Sequence, residues 1–160
     1  MDRLKDKFRE KAVPLAAEIK DIIKNYGDLK IGEITIAQVY QGMKGMTGMV
    51  TETSKLDPEE GIRFRGYSIP ELRAQLPKAP GGTEPLPEGI FYLMLVGELP
   101  TQDDVSYITG EWQKRSNVPK HVFDVIEKLP TDAHPMTQFV IGIMAMQTES
   151  LFAKAYAKGI

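Results

Sequence analysis

Apolar residues recur at helical spacing over most of the chain. Near the N-terminus they form two stripes, which predict two helical pieces. The second piece is expected to begin near Pro14, because proline suits the first turn of a helix, and to end at Gly27. The segment ITIAQVY, residues 34–40, is instead rich in β-branched residues and predicts a short strand or turn.

One segment alternates as a β-strand does. In SKLDPEEGIRFRGY, residues 54–67, Ile62 and Phe64 alternate with Arg63 and Arg65. The stretch Asp57–Gly61 supplies the turn residues Asp, Pro and Gly. These features predict a two-stranded antiparallel hairpin over residues 53–66.

The remainder of the chain carries repeated helix-start signals. Ser68 and Glu71 have the spacing of a capping box, and Thr101 with Asp104 is a second cap. Gly97 is suited to end the apolar helix that Pro87 is predicted to open. Helix starts are predicted near Ser68, Pro87, Thr101, Pro119 and Pro135, the last opening one long apolar helix. About seven helices and one small hairpin give a mainly α fold class.

Composition narrows the range of partners. The 160 residues contain 20 Lys and Arg against 22 Asp and Glu, a net charge of −2 that favours neither nucleic acid nor an anionic membrane. The absence of cysteine excludes disulfides and thiolate metal sites. Acidic residues interrupt the N-terminus, unlike a signal or transit peptide, and the longest apolar stretch, Phe139–Met146, is too short to cross a membrane. We therefore expect a soluble, cytoplasmic protein.

The residues that carry titratable chemistry give weak signals. His121 and His134 lie beside prolines without metal-ligand spacing, so we interpret both as helix-end or packing residues and expect no metal site. The acidic run at Asp57, Glu59 and Glu60 lacks the spacing of a calcium loop and is interpreted as a solvated turn.

Two basic features leave alternatives open. Arg63 and Arg65 on one strand face either hold a carboxylate or phosphate together or bond to local groups. Gly42, Gly45 and Gly48 allow close approach of a ligand to the backbone, and Lys44 between them is a candidate phosphate contact. The spacing is not that of a P-loop, so a solvated lysine remains the alternative.

Long strings of the sequence resemble the citrate synthase family, of the type found in mitochondria and some bacteria. They are GMKGMTGMVTETSKLDPEEGIRFRGYSIPE, LPKAPGGTEPLPEGIFYLMLVGELPT, EWQKRSNVPKHVFDVIEKLPTDAHPM and ESLFAKAYAKGI. The resemblance runs from about Gly32 to Ile160 and is looser before it. It implies that residues 1–160 form the N-terminal part of the large domain, an incomplete fold.

The family condenses oxaloacetate with acetyl-CoA to citrate and CoA, without a permanently bound cofactor. The resemblance implies that an aspartate base, two histidines and the substrate arginines lie in the later half of such proteins, so no catalytic residue is expected here. The chain alone is expected to be inactive. Lys44 matches a basic residue that contacts CoA, often arginine in relatives. Helices near residues 119–128 and 135–150 match those that form a homodimer.

Two alternatives stay open at this point. A 2-methylcitrate synthase follows the same plan, and the residues that distinguish its pocket are also expected later in the chain. A non-catalytic helical module that self-associates is the alternative from a different functional class.

Overall fold

The computed structural model describes residues 1–159 and divides the chain into two compact units, Met1–Glu111 and Trp112–Ile160. The described residues contain eight α-helices, one 3-10 helix and a three-stranded antiparallel sheet, which confirms a mainly α fold with one small hairpin. In the first unit the helices are α1 Asp2–Tyr26, α2 Ile36–Tyr40, α3 Ile69–Gln75, α4 Pro87–Val96 and α5 Gln102–Gln113, whose last residues enter the second. The second unit contains α6 Lys120–Ile126, α7 Pro135–Ala145, the 3-10 helix Met146–Glu149 and α8 Leu151–Tyr156.

The N-terminal segment is one helix rather than the two that were predicted. Pro14 lies inside the 25-residue helix α1 and is exposed, so the carbonyl that loses its hydrogen bond can be hydrated. Leu4, Phe8 and Leu15 follow one another at helical spacing across the proline and line cavities on the same side of α1.

The predicted strand or turn at residues 34–40 is wrong, because this segment contains helix α2. Thr35 Oγ1 accepts a hydrogen bond from the Gln38 backbone N–H at 3.3 Å, and Gln38 Oε1 accepts one from the Thr35 N–H at 3.0 Å. This capping box satisfies donors that the first turn of a helix otherwise leaves free. A local cap thus overrides the β preference of the branched residues.

The hairpin forms where the alternation predicted it. Strands β1 Ser54–Asp57 and β2 Gly61–Phe64 pair antiparallel, and Leu56 lies opposite Ile62. A third strand, β3 Tyr67–Ser68, pairs with β2 and leads directly into α3. The sheet therefore connects residues 42–53, which precede it, to the helical core.

The core of the first unit lies between α3, α4 and α5. Leu72, Leu76 and Leu93 form one buried cluster, and Val105 and Ile108 of α5 are fully buried. The predicted caps at Ser68 and Thr101 both form, and Gly97 ends α4 in a left-handed conformation with φ 83°. These signals were readable because each is made by residues within four positions of one another.

Three basic side chains on one face of α1 attach this helix to the rest of its unit. Arg3 donates to Asp103 and Asp104 at 2.7 and 2.6 Å, and its guanidinium lies 5.4 Å from the centre of the Tyr107 ring. Lys7 lies over the Tyr92 ring, and Lys11 forms an ion pair with Glu98. The spacing of four residues places all three on one helix face.

The second unit corrects the expectation of one long C-terminal helix. Helix α7 ends at Ala145, whose carbonyl bonds to His121 Nε2 at 3.0 Å. A 3-10 turn follows, and Ser150 Oγ accepts from the Ala153 N–H at 3.1 Å to begin α8. Helix continuity is broken because the end of one helix and the start of the next each find a side-chain partner.

Helices α6 and α7 pack on each other. Gly142 is buried, and a Cβ built on it would lie 3.1 Å from Ile126 Cδ1. Other apolar side chains of α7 remain exposed, among them Met136, Phe139, Val140 and Met144. Within residues 1–159, no helix is both long enough and apolar enough to cross a membrane.

Candidate functional site

Lys44 lies in a tight turn that follows helix α2. The backbone reverses through three residues with positive φ, Gly42 at 69°, Met43 at 65° and Gly45 at 71°. The Met43 N–H donates to the Gln38 carbonyl at 2.9 Å, so the last turn of α2 fixes where the turn begins. Glycine adopts these angles without strain, whereas Met43 does so at a cost of about 1 kcal/mol.

The Lys44 side chain is exposed and, within residues 1–159, forms no hydrogen bond or ion pair. A cavity of about 330 Å³ opens beside the turn, lined by residues 31–34, Gln38 and residues 45–48. Glu33, the acidic residue in this lining, is paired with Lys30 at 2.5 Å. The turn therefore presents an unpaired cation next to a cleft whose own negative charge is neutralised.

The structure does not bring Arg63 and Arg65 together on one ligand. Arg63 pairs with Glu60 and donates to the Gly66 carbonyl at 2.8 Å. Arg65 donates from Nε and Nη2 to the Met94 carbonyl at 3.2 and 2.8 Å. Neither arginine is left free to hold a ligand jointly with the other: Arg63 bonds to local groups, whereas Arg65 bonds to a carbonyl 29 positions later.

The acidic run forms a hydrogen-bonded turn. Asp57 Oδ1 accepts from the backbone N–H groups of Glu60 and Glu59, and these bonds lower the pKa of the Asp57 carboxyl. The ion pair with Arg63 lowers the pKa of Glu60. Among residues 1–159 no group of three or more histidine, aspartate or glutamate side chains is placed to hold a metal ion.

Both histidines lie at helix ends, as their neighbouring prolines indicated. His134 Nδ1 accepts from the Met136 N–H at 3.1 Å and thus caps the start of α7. His121 contacts the Ala145 carbonyl at the end of the same helix. Neither ring lines the cleft beside Lys44.

Sequence reasoning missed two features near the site. One is the left-handed conformation of Met43, which lets its side-chain methyl lie 3.7 Å from a Cβ built on Gly48 and close the turn on itself. The other is the long-range bonding of Arg65 to Met94, 29 positions later. Neither has a local sequence signal, since methionine and arginine are not typical of positive φ.

Comparison with known proteins places these features in a family. Residues 42–158 match the family described as "Citrate synthase, C-terminal domain". The chain is 51% identical over 157 residues to mitochondrial citrate synthases of Kajikia audax and Xiphias gladius, and 50% identical to that of Saccharomyces cerevisiae. Each alignment covers 98% of this chain but only 33–34% of the relative, so the chain spans about one third of their length.

These relatives correct one expectation from the sequence. The cytoplasmic location is wrong, because the relatives are named mitochondrial. Composition could not have shown the compartment, since globular proteins of the cytoplasm and of the mitochondrion share the same balance of charged and apolar residues. The relatives' names favour neither a 2-methylcitrate synthase nor a separate self-association module. The chain belongs to the citrate synthase family.

Proposed function

We propose that the chain is the N-terminal part, residues 1–160, of the large domain of an enzyme that condenses acetyl-CoA with oxaloacetate to citrate and CoA. Family membership over residues 42–158 is the observation that carries this proposal. The mitochondrial names of the relatives support a mitochondrial location. No permanently bound cofactor is needed, because both reactants are carried in as substrates.

The reaction removes a proton from the methyl group of acetyl-CoA and directs the resulting carbon nucleophile to the ketone carbonyl of oxaloacetate. Methyl protons beside a thioester are weakly acidic, so a positioned base and hydrogen-bond donors are required. In this proposal those groups belong to the later part of the parent polypeptide. The 160 residues supply none of them, and we expect the chain alone to be inactive.

Within the chain, Lys44 is proposed to contact a phosphate of acetyl-CoA. Its support is the turn: three residues with positive φ project an exposed ammonium that has no partner in the described chain. Lysine serves as a point charge for phosphate, without the two-pronged geometry of arginine. The cleft beside it mixes apolar residues with the polar Gln38 and Thr47 and the paired Glu33, a lining suited to the uncharged parts of the same molecule.

A homodimer is proposed through the helices near residues 119–128 and 135–150. The apolar side chains that α7 leaves exposed support this proposal, with Phe139 60% and Met136 58% exposed. Contiguous apolar surface of this kind usually marks a protein contact. Gly142, packed on Ile126, keeps α6 and α7 together as one surface.

Replacement of Lys44 tests the acetyl-CoA contact in the full-length parent. Lys44→Ala is expected to raise the KM for acetyl-CoA about 10- to 100-fold, the effect of losing one charged contact, and to leave the KM for oxaloacetate nearly unchanged. Lys55→Ala is the matched control, because Lys55 is another exposed lysine and lies on strand β1. Equal changes in both KM values, or none, would retire the role of Lys44.

A further inference from the structure

The loop between β2 and β3 contains a backbone conformation that arginine rarely adopts. Phe64 pairs with Tyr67, so the connection has two residues, Arg65 and Gly66, and both have positive φ, 49° and 89°. Such two-residue loops favour Asn-Gly or Asp-Gly, because an L side chain is strained at positive φ. An arginine kept at this position requires compensation from its surroundings.

The Arg65 side chain provides that compensation. Its Nε and Nη2 donate to the Met94 carbonyl, which lies in the last turn of α4 where no further helical N–H reaches it. A cation at a helix C-terminus also stabilises the helix dipole. The Arg65 side chain is only 19% exposed, and its guanidinium carbon lies 3.9 Å from a Cβ built on Gly97, the residue that ends α4.

The same residue also holds the chain that arrives from the Lys44 turn. The Arg65 N–H donates to the Thr53 carbonyl at 2.9 Å, Nη1 reaches the Glu52 carbonyl at 3.5 Å, and Nη1 lies 3.7 Å from the Glu52 carboxylate. Within residues 1–159, no hydrogen bond links residues 46–53 directly to a helix. Arg65 is therefore the bridge between this stretch and α4.

We propose that Arg65 is a positioning residue that clamps the end of the Gly-rich segment, residues 42–50, through Glu52 and Thr53 to helix α4, and so keeps the Lys44 turn in place for the CoA ester. The placement of the Lys44 turn for the CoA ester rests on the proposed function of Lys44, whereas the clamp between this segment and α4 does not. The clamp accounts for the strained backbone: only a long, forked side chain reaches Met94 and Glu52 together.

The rate of trypsin cleavage after Lys44 in the 160-residue chain tests the clamp and does not require the chain to be enzymatically active. Arg65→Asn relieves the backbone strain but removes the guanidinium. Arg65→Lys keeps the positive charge but lacks the two-pronged geometry of the guanidinium. If the clamp holds the segment, Arg65→Asn speeds cleavage after Lys44 about tenfold, a change of about 1.4 kcal/mol in local opening, and Arg65→Lys gives part of this effect. Arg63→Asn, the control on the same strand, is expected to stay within about twofold of wild type.

Cleavage after Lys7, within helix α1, reports opening of the whole unit in the same digest. Unchanged cleavage after Lys44 in Arg65→Asn would show that Arg65 is only a turn residue. Equal acceleration after Lys44 and Lys7, or an equal effect of Arg63→Asn, would also overturn the clamp.

The kinetic readout in the full-length parent separates this proposal from the role of Lys44. Arg65→Asn is expected to raise the KM for acetyl-CoA several-fold more than the KM for oxaloacetate, in the same direction as Lys44→Ala. Faster cleavage with no change of KM in either variant would retain the clamp and retire ester binding by the turn. An effect of Lys44→Ala on KM without one of Arg65→Asn would retain Lys44 and retire positioning by Arg65.

Discussion

The guanidinium of Arg3 donates a 2.6 Å hydrogen bond to the carboxylate of Asp104, 101 positions later in the chain. Asp104 is 5% exposed and also accepts two bonds from Thr101, from its N–H at 3.0 Å and its hydroxyl at 2.7 Å. One carboxylate thus caps helix α5 and anchors helix α1. Removing its charge should affect both elements at once.

We expect Asp104→Asn to lower the free energy of unfolding by about 1–3 kcal/mol, because a buried charged acceptor with several donors is lost. Asp103→Asn is the matched control, since Asp103 also accepts from Arg3 but is exposed, and its loss should cost less than about 1 kcal/mol. Urea denaturation followed by circular dichroism measures both. Equal effects of the two variants would contradict a special role for the buried carboxylate.

The same residue predicts an acid sensitivity. Burial opposes ionisation of Asp104, but the hydrogen bonds from Thr101 and the charge of Arg3 outweigh it and lower the pKa of the Asp104 carboxyl. Because the folded-state pKa lies below the unfolded value of about 3.9, the stabilisation is present above that value and is lost as pH falls through the folded-state pKa. Wild type should therefore lose more stability than Asp104→Asn between about pH 4 and pH 2. If the free energies of unfolding of wild type and Asp104→Asn fell equally over this range, the lowered pKa of Asp104 would be contradicted.

The contact between α6 and α7 predicts a size limit at Gly142. Gly142→Ala should be close to neutral, because the helix gains about 1 kcal/mol from alanine while Ile126 Cδ1 must move a few tenths of an ångström. Gly142→Leu should destabilise the second unit by about 1–3 kcal/mol through overpacking. Thermal melting of wild type and both variants measures the order of their stabilities. A leucine variant as stable as wild type would show that α6 and α7 are not closely packed there.

The exposed face of α7 predicts self-association. Light scattering should find a dimer for the purified chain, and Phe139→Glu should shift it toward the monomer by placing a charge in the interface. Met49→Glu is the control, because Met49 is 79% exposed but lies in an extended segment outside α6 and α7. A strictly monomeric wild-type chain at high concentration would contradict the interface.

The features that the sequence predicted correctly are those whose signals are local. The caps at Ser68 and Thr101, the left-handed Gly97 and the alternation of Ile62 with Phe64 each depend on residues close in the chain. Such signals can be read from the sequence without knowing which distant residues come into contact.

One error was a missed local signal, since the capping box at Thr35 and Gln38 that begins α2 spans only three positions. Two others could not be read from neighbouring residues: helix α1 continues through Pro14, which is exposed so that the freed carbonyl can be hydrated, and α7 ends at Ala145, whose carbonyl bonds to His121, 24 positions earlier. At the candidate site, the glycines indicated the turn that carries Lys44. They gave no indication of the positive φ at Met43 or Arg65, because neither methionine nor arginine is typical of that conformation.

We propose that this chain is part of a citrate-forming condensing enzyme whose reacting groups lie outside residues 1–160. This proposal is tested most directly by following thiol release from acetyl-CoA with and without oxaloacetate, for the full-length parent and for the pure 160-residue chain side by side. We expect release by the parent that depends on oxaloacetate and yields citrate, and only background release by the chain. A parent that forms no citrate, or turnover by the chain alone, would contradict it.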